Sequence, residues 1–265
     1  MPHSTAQPLP WGDGTFARFA LGHCNTLVLL VHGFGGGAAT TWTGLRSLTD
    51  DDPATEHADV VSYGYNSTNA PVANSAVLLR SFIEAMLGSD ARFLAMITQA
   101  TGQAAARDYA RVFIVAHSLG APVARRALLD AIEGGAAWPK RARLILFAPA
   151  HMGTRLLEDQ PMLGGGLGGL VSTILVAWKL GRPAVDDLKA GSVFLSRLAN
   201  DTRRYILEGW AETLKARQVL FGENEKVVNV DRFCEDPVQQ VWPDHTHVSI
   251  CKVDKAASFV RENLA

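Results

Sequence analysis

One serine stands where a short apolar segment gives way to a helical pattern. Ala116-His117-Ser118-Leu119-Gly120 closes the apolar run Val112 to Ala116 and opens the helical pattern Leu119 to Ile132. On such a turn the hydroxyl projects above the sheet, and backbone N–H groups of the helix N-terminus can stabilise negative charge. Gly120 suits the close approach of strand and helix, although position 116 is Ala where the common pattern G-x-S-x-G has Gly. We therefore predict a nucleophilic Ser118 rather than an ordinary helix N-cap.

A glycine-rich loop follows an earlier apolar run. The segment His32-Gly33-Phe34-Gly35-Gly36-Gly37, called the glycine loop below, comes directly after Leu27 to Val31. A loop of this kind can aim a backbone N–H at an oxyanion. We expect the N–H groups of Phe34 and Leu119 to form the two-donor hole that acyl transfer requires.

The glycine loop also has an alternative interpretation as a dinucleotide site. Gly33, Gly35 and Ala38 match the pattern G-x-G-x-x-A. That site expects an acidic residue at the end of the second strand, where it would hold the ribose. The second strand predicted here, Asp59 to Tyr63, ends in tyrosine. The oxyanion interpretation is therefore favoured.

A serine needs a base to take its proton, and the base needs a carboxylate to orient it. Two acids, Glu223 and Glu225, follow the apolar run Val219 to Phe221, and two histidines, His245 and His247, follow later. The residues alone leave either acid and either histidine open. The H-x-H pair next to an aspartate could also bind zinc, but no third ligand of suitable spacing is evident, so we predict no metal.

The strands and helices that would position these residues alternate along the chain. Five apolar segments that do not alternate with polar residues predict strands buried on both faces: Leu27 to Val31, Asp59 to Tyr63, Val112 to Ala116, Leu144 to Ala148 and Val219 to Phe221. Helical patterns lie between them, at Pro71 to Leu87, Ser89 to Ala106 and Leu119 to Ile132. This order predicts one doubly wound α/β domain over residues 1–265, with a mostly parallel sheet and helices on both faces.

One segment interrupts the alternation, because no clear strand occurs from about residue 151 to 200. Within it, Gln160 to Trp178 carries no charge and combines a Gly-rich half with an apolar half. A transmembrane helix is disfavoured by Pro161 and five glycines. A buried core helix and a cap or lid over a pocket both remain open, and we expect a cap-like insertion.

Composition limits the partners. The 265 residues are 48% hydrophobic, and 25 Lys+Arg against 26 Asp+Glu give a net charge of -1. Without a basic field we expect no nucleic-acid partner. Three cysteines without metal-like spacing favour a reducing compartment, and the N-terminal residues contain no secretory signal, so we expect a cytoplasmic protein.

These motifs together resemble those of α/β-hydrolases, in particular the branch of serine esterases and lipases that includes inositol-deacylase-like proteins. The resemblance runs from about Leu27 to the C-terminus. The motifs are H-G-x-G-G with a following Trp (His32 to Gly36, Trp42), a tyrosine-rich strand end (Tyr63, Tyr65), Pro149 to Thr154, Leu188 to Ser192 and the H-x-x-I-C-K ending at His247.

The resemblance assigns roles to particular residues. It selects His247 over His245 as the base and puts Glu225 in the position that is usually Asp. His32, Gly33, His117 and His151 are expected to support or line the pocket. The implied function is a serine hydrolase that cleaves carboxylic esters through an acyl-enzyme, without a cofactor.

The expected substrate is a small-molecule or lipid-like ester. Peripheral membrane contact fits the apolar segment, whereas the oligomeric state is left open. Two alternatives stay open as well: an acyltransferase with the same triad, and a non-catalytic binding module on the same fold.

Overall fold

The predicted apolar runs form the centre of a single sheet. The computed structural model describes residues 3–49, 54–88, 90–103, 107–155, 176–177 and 179–264. Within these residues the sheet has eight strands: β1 (Gln7–Pro8), β2 (Phe16–Arg18), β3 (Thr26–Val31), β4 (Ala58–Tyr63), β5 (Arg111–His117), β6 (Ala142–Phe147), β7 (Ala216–Asn224) and β8 (Gln240–Thr246).

The strand order brings distant parts of the chain to one edge. It runs β1-β2-β4-β3-β5-β6-β7-β8. The six strands from β4 to β8 in this order run parallel to one another, whereas β2 pairs antiparallel with both β1 and β4. The chain goes from β3 to β4 on one side and then crosses to β5 on the other. At such a switch point the loops after the two strands diverge and leave a crevice, which is where α/β sheets bind ligands.

Both faces of the central strands are covered. In β3 the side chains of Leu27, Leu29 and Val31 belong to one apolar cluster, and those of Val28 and Leu30 belong to another. The period of two follows from strand geometry, in which successive side chains point to opposite faces. The near-continuous apolar runs therefore mark strands with helices on both sides.

The helices bear out the predicted α/β alternation. They are α1 (Val72–Leu87), α2 (Ala91–Thr101), α3 (Gly120–Glu133), α4 (Pro183–Asp187), α5 (Val193–Tyr205), α6 (Ala211–Leu214) and α7 (Lys255–Glu262), with a 3-10 helix at Thr43–Thr49. Asp90 caps α2 by accepting a hydrogen bond from the Arg92 N–H, and Gly102 ends that helix at φ 70°. The helix is therefore shorter at both ends than Ser89 to Ala106.

The predicted fold class, a mostly parallel sheet with helices on both faces, is confirmed. Three strands were not anticipated, since β1 and β2 span only two and three residues and β8 contains Pro243. Proline is tolerated in β8 because this strand lies at the edge of the sheet.

Most of the uncharged segment of the expected cap lies outside the described residues, which omit 156–175 and 178. Among the helices that the structure describes, none has the length and apolar character to cross a bilayer.

Candidate active site

Ser118 lies on the tight turn between β5 and α3 with φ 53°, which is uncommon for a residue other than glycine. Three main-chain hydrogen bonds hold the turn. The Ser118 N–H donates to the Phe147 carbonyl (3.0 Å), and the Ser118 carbonyl accepts from the N–H groups of Ala121 (3.1 Å) and Ala150 (3.2 Å). A strained backbone of this kind costs about 1–3 kcal/mol and persists only where its surroundings fix it.

Gly120 permits the crossing of α3 over β3. A Cβ at this position would lie 2.4 Å from the carbonyl oxygen of Val31 and 2.6 Å from that of His32. Both neighbours are backbone atoms, so a side chain could be accommodated only by moving the strand or the helix. The glycine predicted to allow this close approach is therefore required by the packing.

Hydrogen bonds join Ser118, His247 and Glu225 into one chain. The Ser118 Oγ lies 2.9 Å from His247 Nε2, and His247 Nδ1 lies 2.9 Å from Glu225 Oε2. His247 is fully buried and Glu225 is 7% exposed. A carboxylate only accepts hydrogen bonds, so Nδ1 carries the proton and Nε2 presents its lone pair to the hydroxyl.

The second oxygen of Glu225 is bound by the turn that follows β7. Glu225 Oε1 accepts from the N–H groups of Val227 (2.7 Å) and Val228 (3.1 Å). The carboxylate is thus fixed from both sides. Both oxygens of the glutamate that stands where aspartate is usual are therefore hydrogen-bonded.

The competing acid and histidine lie elsewhere. Glu223 Oε2 accepts from the Asp244 N–H (3.2 Å), and the His245 ring packs edge-on to Trp242 with centroids 5.7 Å apart. In the part of the chain that the structure describes, neither residue bonds to Ser118 or His247. Of the four candidates, only Glu225 and His247 are brought to the serine.

The glycine loop is a turn closed by a main-chain hydrogen bond and held by the side chain of Ser67. The Gly36 N–H donates to the Gly33 carbonyl (3.1 Å), and Gly35 has φ 64°, the positive value that a type II turn requires at its third residue. The Gly35 N–H donates to Ser67 Oγ (3.0 Å). Sequence reasoning did not identify Ser67, and no motif pointed to it.

His32 fixes the start of the glycine loop rather than facing the serine. Its Nδ1 donates to the Gly33 carbonyl (2.9 Å), its Nε2 accepts from the Tyr65 N–H (3.3 Å), and its ring stacks on the Tyr65 ring at 4.5 Å. The Tyr65 hydroxyl donates to the His32 carbonyl (2.9 Å). Burial lowers the pKa of His32, which keeps the ring neutral in these contacts.

The two expected oxyanion donors lack an acceptor among the described residues. Within the described residues, neither the Phe34 N–H nor the Leu119 N–H makes a hydrogen bond to the protein. Both residues are buried, with Phe34 5% and Leu119 1% exposed. Buried N–H groups normally find a partner, so two unpaired ones beside a serine suit a transient acceptor such as a substrate oxyanion.

His117 and His151 are buried near the serine in different environments. His117 Nε2 lies 2.8 Å from the main-chain carbonyl oxygen of His247. His151 stacks on Phe233 with ring centroids 4.5 Å apart and is 2% exposed. Burial holds the pKa of each ring well below its usual value. His151 thus packs beside the site without contacting Ser118 by a hydrogen bond.

A buried ion pair links α3 to β7, the strand that precedes Glu225. Arg125 Nη2 donates to both carboxylate oxygens of Asp236 at 2.7 and 3.0 Å, and Arg125 is fully buried. Asp236 Oδ1 also accepts from the N–H of Ala216, the first residue of β7 (2.8 Å). Nothing in the sequence distinguished this arginine from the solvated ones, because its partner lies 111 residues away.

A mostly parallel sheet with a serine on the turn after a central strand is the arrangement of α/β-hydrolases. The chain belongs to the alpha/beta hydrolase family, whose profile matches residues 28–255. A search among curated proteins found no significant match.

Solved structures share the fold at low sequence identity. The peroxisomal α/β-hydrolase Lpx1 of Saccharomyces cerevisiae has a TM-score of 0.58 at 10% identity, over 99% of this chain and 87% of that one. The Bacillus licheniformis lipase BlEst2 has a TM-score of 0.53 at 16% identity, over 95% and 98%. The phospholipase PlaB of Legionella pneumophila has a TM-score of 0.58 at 16% identity, over 91% of this chain but only 59% of its own. At these identities the likeness shows the fold alone.

Proposed function

We propose that this protein is a serine hydrolase that cleaves carboxylic esters, with Ser118 as nucleophile, His247 as base and Glu225 as the orienting acid. The carrying observation is the continuous hydrogen-bonded chain, in which the Ser118 Oγ to His247 Nε2 and His247 Nδ1 to Glu225 Oε2 distances are both 2.9 Å. Such a chain gives a serine a base of fixed tautomer, which is what makes the hydroxyl nucleophilic.

The reaction follows from the direction of the proton. His247 Nε2 takes the hydroxyl proton as Ser118 Oγ attacks the carbonyl carbon, and the N–H groups of Phe34 and Leu119 bind the oxyanion. The imidazolium then gives its proton to the departing alkoxide, and the acyl-enzyme remains. Water then attacks the carbonyl carbon of the acyl-enzyme while His247 takes its proton. The bond to Ser118 Oγ breaks, Oγ takes that proton back from His247, and the carboxylic acid is released.

The experiment measures p-nitrophenolate release from a p-nitrophenyl ester by the wild type and by Ser118→Ala. We expect the wild type to release product with an initial burst, and Ser118→Ala to retain only residual turnover. Equal turnover in the two proteins would refute the assignment. If added alcohols take up the acyl group faster than water, the protein is an acyltransferase. Failure of a fluorophosphonate to label Ser118 would indicate a binding module.

We further assign the substrate to lipid-like esters and the chain to the inositol-deacylase-like branch. Two members of the fold that carry the names lipase and phospholipase support the first assignment. The motifs around Trp42, Tyr65 and His247 support the second. Hydrolysis rates across p-nitrophenyl esters of increasing chain length test the substrate class.

The insertion at about residues 151–200 is proposed to cap the acyl group. The support is the uncharged stretch Gln160 to Trp178, whose first half is rich in glycine and whose second half is apolar. Introducing aspartates into Leu163 to Trp178 should then penalise long-chain esters more than acetate esters. Equal losses on both substrates would contradict the cap.

A further inference from the structure

We propose that His117 is a positioning residue for the base, since its ring donates a hydrogen bond to the main chain of His247. This inference rests on the proposed function, because it concerns the residue that would accept the Ser118 proton. The sequence predicted only that His117 supports or lines the pocket. The hydrogen bond from His117 to the loop after β8 gives this side chain a more specific role.

The contact joins the nucleophile turn directly to the loop that carries the base. His117 Nε2 lies 2.8 Å from the His247 carbonyl oxygen, although the two residues are 130 positions apart. The rings are 4.8 Å apart, and His117 is 7% and His247 0% exposed. The neighbours Ser118 and His247 are therefore linked twice, once by their own side chains and once through His117.

The partner fixes the protonation of His117. A carbonyl oxygen can only accept, so Nε2 carries the proton and Nδ1 is left with a bare lone pair. Among the described residues Nδ1 has no hydrogen-bond partner. A buried acceptor without a partner costs free energy of desolvation, so an apolar residue would suit the packing better. The advantage of histidine over an apolar residue is the Nε2 donor, which binds the His247 carbonyl oxygen.

The neutrality of His117 is compatible with a base that must become positive. Burial is the largest cause that holds the pKa of His117 well below its usual range, so the ring is neutral. A cationic His117 would oppose the charge that His247 acquires during proton transfer. A neutral donor positions the base without this repulsion.

The test compares two variants of similar length that differ in the donor. In His117→Gln the amide nitrogen can occupy the place of Nε2 and keep the hydrogen bond, whereas His117→Met fills the space without a donor. We expect His117→Met to lower kcat about 10- to 100-fold with little change in KM, because a misplaced base impairs the chemical step and not binding. His117→Gln should restore most of the wild-type kcat.

His3 provides a matched control. It is also buried, at 4% exposure, and its Nε2 lies 2.9 Å from a main-chain carbonyl oxygen. That carbonyl belongs to Ala58 at the first residue of β4, away from the edge where Ser118 lies. His3→Met should therefore leave kcat unchanged even where it lowers the melting temperature.

Each outcome decides the inference. A folded His117→Met with wild-type kcat would overturn it, and so would His117→Gln as impaired as His117→Met. If His117→Met does not fold, a folded His117→Gln decides alone, since a tenfold loss of kcat there refutes the donor role. An inactive wild type that no fluorophosphonate labels would instead refute the proposed ester hydrolysis, which Ser118→Ala tests separately.

Discussion

Replacing Gly33 with alanine should disable the proposed oxyanion hole while leaving the Ser118, His247 and Glu225 chain in place. A Cβ at position 33 would lie 2.7 Å from the Ser118 Cβ, 3.1 Å from His117 Nδ1 and 3.2 Å from the His117 carbonyl oxygen. Non-bonded carbon atoms prefer a separation of about 3.5–4.0 Å. The clash is with the nucleophile turn itself, which its main-chain hydrogen bonds hold.

The magnitude follows from this geometry. To restore a normal carbon contact, the glycine loop has to retreat by roughly 1 Å. Phe34 is the next residue, so its N–H moves with the loop. A displacement of about 1 Å, or the loss of one oxyanion donor, lowers kcat by about 100-fold, which corresponds to about 2.7 kcal/mol of transition-state stabilisation.

The assay is steady-state hydrolysis of a p-nitrophenyl ester, with thermal unfolding measured on the same samples. Gly37→Ala is the matched control, because its Cβ would meet only the side chain of Thr40, at 3.2 Å. It should keep kcat near the wild-type value. A folded Gly33→Ala variant whose kcat stays within about twofold of the wild type would refute the placement of the Phe34 N–H in the mechanism.

Three further perturbations follow from the contacts described. Glu225→Gln should lower kcat by about 10³–10⁴-fold, because an amide can hold His247 in the wrong tautomer. Asp236→Ala should lower the free energy of unfolding by about 3–5 kcal/mol, because it leaves Arg125 charged and buried. Acidification below about pH 6.5 should lower the free energy of unfolding by about 1.4 kcal/mol per pH unit for each buried neutral histidine. Burial lowers the folded-state pKa of His32, His117 and His151. As the pH falls, the unfolded chain therefore binds protons at these rings that the folded chain does not.

Each of these has its own control. Glu223→Gln changes the carboxylate that accepts a hydrogen bond from the Asp244 N–H, and it should retain activity. Comparable losses of kcat in Glu223→Gln and Glu225→Gln would contradict the assignment of Glu225 as the acid. Glu235→Ala removes a half-exposed pair with Lys215 and should change the free energy of unfolding by no more than about 1 kcal/mol in urea titrations. Urea midpoints that are equal at pH 7 and pH 5.5 would contradict the neutral histidines.

The sequence was informative wherever the local pattern itself determines the geometry. Apolar runs such as Leu27 to Val31 identified the buried strands, and Gly120 identified the close crossing, because burial and backbone approach leave direct traces in residue type. The order of the candidate serine, acids and histidines along the chain was likewise readable. The residues alone left Glu223 and Glu225 open, and the family resemblance favoured Glu225. In the structure the N–H groups of Val227 and Val228 bind the Glu225 carboxylate.

Contacts between distant segments could not be predicted. The bond from His117 to the His247 carbonyl, the bond from Gly35 to Ser67 and the Arg125–Asp236 pair each join residues that have no local signature. The sequence around a histidine or arginine in such a place does not differ in composition or spacing from the sequence around a surface residue. Only the strand order determines that these segments meet. The short strand β1 was missed for a related reason, since its pairing with β2 and not its own sequence defines it.

The large separation of Ser118 and His247 along the chain has a consequence for folding. Ser118 and His247 are 129 positions apart. His247 follows the edge strand β8, which joins the sheet by pairing with β7. Such long-range pairings close large loops and form slowly, whereas helices form from local contacts. Recovery of catalytic turnover after dilution from urea therefore reports the docking of the last two strands, and it should lag behind the recovery of helical circular dichroism.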